Sequence, residues 1–210
     1  MEHIKKYHSE SLLTAHGTIW IEGPVSSEIL QTYIMDEGLD AFREPDEQHQ
    51  ALCEIASLPE GRIILARLEK RIVGYVTFHY PDEMERWSQG QMEDLIELGA
   101  IEVSPSFRSF GLGKRMIKLA FLNQQLDDVI VFTTEYYWHW DLKGSGLSVW
   151  DYRKMMEQLM KCVGMVWYAT DDPEICSHPA NCLMARVGPR VPISSVEQFD
   201  RIRFRQRFMY

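Results

Sequence analysis

No uninterrupted apolar stretch of membrane-spanning length occurs in the 210 residues, and the opening MEHIKKYHSE has no apolar run behind its two lysines. A spanning helix needs about 20 consecutive apolar residues and a secretory leader needs an apolar segment, so neither is expected, and the address read from the chain is cytoplasmic. Cysteine is scarce. Cys53, Cys162, Cys176 and Cys182 lack the paired short spacing of a zinc site, and the trio Cys176, His178 and Cys182 around Pro179 is not a recognised ligand arrangement. No metal is expected, and the four are read as buried thiols of an intracellular chain. Positive charge is also short, with 22 Lys and Arg against 31 Asp and Glu and a net charge of -9. Phosphate-backbone binding depends on basic surface, so nucleic acid is excluded as a partner, and the acidity suits a cationic substrate.

Two familiar phosphate-binding signatures are missing as well. Nowhere are two glycines separated by four residues and followed by Lys-Ser/Thr, and nowhere do three glycines in the dinucleotide spacing precede an acidic residue about twenty positions on. What is present is Val103-Ser-Pro-Ser-Phe-Arg108-Ser109-Phe110-Gly111-Leu112-Gly113-Lys114, a glycine-bearing loop after an apolar strand, Glu97–Val103. Behind the loop, Leu112, Met116, Leu119 and Ala120 recur at helical spacing. Glycines let a backbone approach a phosphate closely, and a helix N-terminus adds unpaired N–H donors and the positive end of its dipole. The loop therefore reads as a phosphate cradle, with the helix opening near Gly113.

Length and a 45% apolar content suit one compact domain over 1–210. Gly17–Glu22 reads as a strand. A helix follows it, capped by Ser26 or Ser27, with Ile29, Leu30, Tyr33 and Ile34 as its stripe. Glu44–Ser57, with Pro45 in its first turn, reads as a second helix. Arg62–Arg67 and Ile72–Phe78 form a hairpin and, with Glu97–Val103, an antiparallel meander. The acidic loop Pro81–Asp94 carries Asp82, Glu83, Glu85, Glu93 and Asp94, which either draw a lysine-bearing segment or only solubilise the loop. Val129–Thr134 and Met165–Thr170 read as strands, Leu147–Val163 as a helix striped with Met155, Met156, Leu159 and Met160, and Tyr136–Trp140 as an aromatic core plug in preference to the alternative, a binding wall. Ser177–Gly188 reads as a helix entered through Pro179 and ended by Gly188. In the tail, Arg201, Arg203, Arg205 and Arg207 alternate with Ile202, Phe204, Gln206 and Phe208, the pattern of a charged edge strand; a basic strip for a phosphate or an acidic partner is the alternative.

Arg108-x-x-Gly111-x-Gly113 after Val103-x-Pro105 strongly resembles the acetyl-CoA-binding motif of the GNAT superfamily of N-acetyltransferases. The resemblance implies an α/β (α+β) GNAT-like acyl-CoA N-acyltransferase fold, a mixed, mostly antiparallel central sheet flanked by helices. It implies acetyl-CoA as co-substrate: loop amides from Arg108 to Lys114 on the pyrophosphate, and the backbone of Ile101 and Val103 on the pantetheine arm. In superfamily members that acetylate protein lysines, a glutamate lies eleven positions before the first residue of the motif, which is Glu97 here. Glu97 is therefore the nominated general base, with a raised pKa, and Glu102 the alternate; their odd spacing sends them to opposite faces of the strand. Many members also place an Asn near the CoA arm, ahead of a short helix with an acid-donating Tyr. Asn181 matches the Asn, but Met184 stands where the Tyr would be, leaving Tyr152 and Tyr168 without a choice between them. The segment at about 127–164 is open: either Val129–Thr134 is the usual strand after the cofactor helix, or it belongs to a family-specific insertion and Val166–Thr170 takes that part.

Longer strings, among them Glu93–Val103, Thr133–Lys143, Ala169–Pro173, His178–Arg186 and the terminal Arg207-Phe-Met-Tyr210, resemble the acetoin-utilisation acetyltransferases of spore-forming bacteria over nearly the whole chain. That resemblance implies a lysine N-acetyltransferase whose protein substrate is acetyl-CoA synthetase. Acetylation of a small amine, or acetyl-CoA sensing by a non-catalytic binding protein, are the alternatives.

Overall fold

The computed structural model describes residues 1–205. The described residues pack as two compact units: residues 2–79 with 98–123, and residue 1 with 80–97 and 124–205. In chain order the elements are β1 (His8–Thr14), β2 (Gly17–Gly23), α1 (Ser27–Leu30), β3 (Ile34–Met35), α2 (Pro45–Ser57), β4 (Arg62–Leu68), β5 (Arg71–His79), β6 (Leu95–Val103), α3 (Leu112–Ala120), β7 (Ile130–Glu135), α4 (Leu142–Ser145), α5 (Val149–Lys161), β8 (Val166–Tyr168), α6 (Pro173–Cys176), β9 (Cys182–Val187) and α7 (Ile193–Arg203). Four short 3-10 turns join them.

In the first unit the hydrogen-bonded strand order is β1-β2-β4-β5-β6, with β3 parallel to β5. β1, β2, β4 and β5 are successively antiparallel neighbours. Leu30, Leu39, Leu52, Ile63, Leu65, Ile72 and Tyr75 form the core beneath α2. α2 starts as its sequence dictates, with Pro45 supplying a helical φ and Asp46 and Glu47 facing the positive end of the dipole. The hairpin β4–β5 lies where the sequence places it. β1 is not visible in the sequence, because as an outer strand it buries no complete face and leaves no apolar alternation to read.

The helix expected after Pro24 is cut to one turn. Only Leu30 of its stripe is buried, and Ser26 makes no side-chain cap. Ile34 leaves the helix because its N–H donates to Lys70 O at 2.9 Å, as Asp36 N–H does to Ile72 O, which draws the segment onto β5.

In the second unit the order is β6-β7-β9-β8. The parallel β6–β7 ladder sets Leu95, Ile96 and Glu97 against Ile130, Val131 and Phe132, so β7 is the strand beside β6 and β8 is an edge strand. Trp87, Leu95, Phe132, Leu183, Phe199 and Ile202 centre the core. The helix expected over Ser177–Gly188 does not form. Its apolar half is β9, hydrogen-bonded antiparallel to β7 from Glu135↔Cys182 to Ile130↔Val187 and to β8 on its other edge. Cys182–Ala185 are buried in succession, the pattern of a strand covered on both faces, which a short apolar run shares with a buried helix. Gly188 is there for close approach rather than as a helix end, since a Cβ on it would sit 2.3 Å from Asp127 O.

Three further expectations are corrected. Arg201–Arg203 close α7 and form no strand, while Gln206–Phe208 of that pattern lie outside the described residues. The Tyr136–Trp140 segment is no core plug: Trp140 is buried, but Trp138 and His139 are exposed. Of the cysteines only Cys182 is buried, with Cys53 and Cys162 half-buried and Cys176 exposed. In α5, Met156 and Met160 face inward and Met155 is exposed. Among the described residues no group of His, Cys, Asp and Glu is placed to hold a metal ion, and no helix is long and apolar enough to cross a membrane.

Candidate functional site

The glycine loop is built from the end of β6. Ser104 is buried, its N–H donating to Val73 O and its hydroxyl to Asp36 Oδ1 at 2.8 Å, so the chain leaves the strand at a fixed point. Pro105–Phe110 then forms a 3-10 turn pinned by buried Phe107, and Arg108 Nε reaches back to Val103 O at 3.1 Å. Gly111 takes φ 66°, a left-handed conformation that favours glycine, and a Cβ there would meet nothing within 4 Å. The glycine serves backbone direction and leaves open space above the loop.

α3 begins at the next residue, Leu112, one position ahead of the expected opening, and no side chain caps it. Its inner face is held by Leu112, Met116, Ile117, Leu119 and Ala120, while Arg108, Ser109 and Lys114 stay exposed and Phe110 and Gly113 half-buried. The first amides of a helix have no intrahelical acceptor, so an uncapped nine-residue helix entered through an open glycine is suited to a phosphate group, with the cationic Arg108 and Lys114 at hand. Residues Leu98–Val103 take no part in the β6–β7 ladder; Gly99 is exposed, and Ile101 and Val103 are half-buried.

The two candidate bases prove different in kind. Glu102 is tied into the first unit: Oε1 accepts from Ala41 N–H at 2.8 Å and Oε2 from the Tyr75 hydroxyl at 2.6 Å. Burial raises its pKa, these two hydrogen bonds work against that rise, and the buried Tyr75 hydroxyl is pushed far up beside the carboxylate. Glu97 is only 8% exposed, and its carboxyl has no hydrogen bond or ion pair among the described residues. Its carboxyl is pushed up to about 8, first by burial and then by the charges of Glu85 and Asp82. Of the five carboxylates in the acidic loop, then, two act on Glu97. Glu85 is itself raised, by burial first and then by Asp82, Glu174 and Asp172, whereas Glu93 pairs with the N-terminal amine.

Asn181 stands ahead of a strand rather than a helix, so the comparison of Met184 with an acid-donating Tyr has no structural basis. The Asn181 carboxamide is buried, Oδ1 accepting from Tyr137 N–H at 3.0 Å and Nδ2 donating to Glu174 O at 3.2 Å. It anchors the aromatic segment after β7. Tyr152 stacks on Trp140 at 5.2 Å, and Tyr168 packs edge-on against Phe199. Sequence reasoning missed Glu135, the last residue of β7. It is buried, accepts from Trp140 Nε1–H at 3.0 Å, and is pushed up to about 7 by burial. A glutamate closing an apolar strand five residues before a Trp was the available signal.

Residues 28–126 match the Acetyltransferase (GNAT) family. Over all 210 residues, 100% of both chains, the sequence is 60% identical to the acetoin utilization protein AcuA of Bacillus subtilis (strain 168). It is 59% identical to the protein of that name from Bacillus licheniformis, again over the full length of both. The crystal structure of an acetoin utilization protein from Exiguobacterium sibiricum 255-15 matches with a TM-score of 0.96 at 56% identity, over 99% of this chain and 98% of that one.

Proposed function

The chain belongs to the acetyltransferase (GNAT) family and is an acetyl-CoA-dependent N-acetyltransferase, and from that premise we propose that it acetylates a lysine of acetyl-CoA synthetase with Glu97 as general base, inactivating the synthetase in the control of acetate and acetoin use. The observation that carries the base assignment is the buried Glu97 carboxyl, free of any hydrogen bond or ion pair among the described residues and held up to about 8. The synthetase as acceptor is supported by the family resemblance of the long strings, and the link to acetoin use by the relatives' name.

Acetyl-CoA supplies an acetyl thioester. In this reading the amides at the opening of α3 hold its pyrophosphate, and the backbone of Ile101 and Val103 runs beside the pantetheine arm. The acceptor lysine arrives as an ammonium with a reference pKa of about 10.4 and is no nucleophile until it loses a proton. Glu97, as carboxylate, takes that proton. The freed nitrogen lone pair forms the new C–N bond to the acetyl carbon, the C–S bond breaks with its electron pair leaving on sulfur, and the second proton, still on the newly acylated nitrogen, passes to solvent or to the departing thiolate. A thiol with a reference pKa near 8.5 leaves as thiolate without full protonation, so no acid need be assigned.

The test mixes the chain with labelled acetyl-CoA and purified acetyl-CoA synthetase. Label on a synthetase lysine, with synthetase activity lost in step and both effects absent in Glu97→Gln, is the expected result. No label under conditions where CoA binding is demonstrated would refute the proposal.

A further inference from the structure

The turn between β1 and β2 lies against the glycine loop of the same unit. The Thr14 hydroxyl donates to Gly17 O at 2.8 Å and accepts from His16 N–H at 3.1 Å, while Gly17 takes φ 115°. The two-residue turn Ala15-His16 is thereby locked. It lays the exposed His16 ring on two aromatics of the Pro105–Phe110 turn, tilted over Phe107 at 5.1 Å between centroids and edge-on to Phe110 at 5.7 Å. Phe107 and Phe110 are themselves 6.4 Å apart, so the three rings make one cluster. Phe110 directly precedes Gly111, where the chain turns into α3. A second tie joins the same hairpin to the first turn of that helix: Arg115 NH1 pairs with Glu10 Oε1 at 3.0 Å.

We propose that His16 is a positioning residue for acetyl-CoA: its ring clamps the Phe107–Phe110 turn so that the amides opening α3 already stand in their cofactor-binding conformation. The inference rests on the reading of the glycine loop as the acetyl-CoA cradle. Pro105, Ser106, Arg108 and Ser109 are exposed and only Phe107 of the turn is buried, so beside the Arg108 Nε–Val103 O hydrogen bond the turn has one packing anchor of its own. Any segment that binding must order costs conformational entropy, and a turn ordered beforehand avoids that cost. His16 supplies the second anchor through its flat ring. Neither ring nitrogen makes a hydrogen bond among the described residues, so the contact needs a ring rather than an imidazole.

The experiment measures CoA binding by titration calorimetry and steady-state kinetics for the wild type, His16→Ala and His16→Phe. From the usual strength of aromatic pairs, His16→Ala raises the Kd for CoA and the KM for acetyl-CoA by about 3- to 10-fold. Its kcat and acceptor KM stay unchanged, and His16→Phe restores the wild-type values. Equal Kd in the wild type and His16→Ala, with CoA bound by both, overturns the inference. So does an equal fall in kcat, or a His16→Phe that behaves like Ala. Failure of the wild type to bind CoA at all overturns the reading of the loop, and the inference with it.

Discussion

Glu97→Gln removes one buried carboxyl, and with Glu97 as the proposed base that change has opposite effects on rate and on stability. With its pKa near 8, Glu97 is carboxylate in about a tenth of molecules at pH 7, about half at pH 8 and about nine tenths at pH 9. A rate that depends on the carboxylate therefore climbs nearly tenfold between pH 7 and 9 and bends near pH 8. The Gln variant, lacking the base, is slower by about 10²- to 10⁴-fold. Titration of the acceptor amine itself persists in the variant, but as a rise without the bend near 8. Stability moves the other way. In the unfolded chain this carboxyl titrates near 4.5, so between about pH 4.5 and 8 the folded state holds a proton that the unfolded state has lost. Folding stability then falls as pH rises through that window, because the native state is the one binding more protons. A gap of this size corresponds to at most about 4–5 kcal/mol. Relative to wild type, Glu97→Gln should gain a few kcal/mol of stability from pH 5 to 9, read as a growing difference in urea midpoint. The assay pairs initial-rate profiles over pH 6–9.5 with urea melts at pH 5, 7 and 9. A bend near 8 that survives in the variant, or a stability difference that does not change with pH, would refute the reasoning.

Glu102→Gln weakens the acceptor for Ala41 N–H and the Tyr75 hydroxyl, so it should lower stability by about 1–3 kcal/mol in urea melts and leave the bend near pH 8 intact. Loss of that bend would make Glu102 the base instead. Gly111→Ala forces a side chain into a left-handed conformation in open space, costing roughly 1–2 kcal/mol of strain without a clash. It should raise the KM for acetyl-CoA while leaving the acceptor KM unchanged, and an unchanged acetyl-CoA KM would separate the loop from the cofactor. Asn181→Ala leaves the partly buried Tyr137 N–H without its acceptor and should cost about 1–3 kcal/mol in the same melts. CoA affinity should hold, and a marked rise in Kd would reinstate the cofactor contact expected from the sequence.

The fold was legible where local chemistry and tertiary context agree. Pro45 with Asp46 and Glu47 announces α2, the β-branched runs either side of Glu69 and Lys70 announce the β4–β5 hairpin, and Leu112–Ala120 shows its buried stripe at the right spacing. It was illegible where pairing partners far along the chain decide. Ile34 continues a helical stripe in sequence and becomes strand only because Lys70 and Ile72 offer carbonyls. Cys182–Val187, framed by Pro179 and Gly188, meets the local rules for a short helix; β7 and β8, one on each edge, make it a strand. β1 gives no apolar signal because its side chains are largely in solvent.

The candidate site repeats this division at the level of single side chains. Period-two alternation sends Glu97 and Glu102 to opposite faces of β6 but does not say which face leaves a carboxyl free. That depends on what each meets: the Tyr75 hydroxyl and Ala41 N–H, 27 and 61 residues away in sequence, for Glu102, and for Glu97 burial together with the like charges of Asp82 and Glu85. Two hydrogen bonds to the charged form offset part of the rise that burial gives Glu102, whereas Glu97, buried beside like charges and without such bonds, keeps its proton to higher pH and has an open acceptor once it loses it. With Glu97 as the proposed base, the acidic loop would bear on catalysis without having to touch substrate: by holding the Glu97 proton toward the pKa of an ammonium, Glu85 and Asp82 would shrink the gap that proton transfer has to cross, at the cost of a smaller fraction of carboxylate at neutral pH.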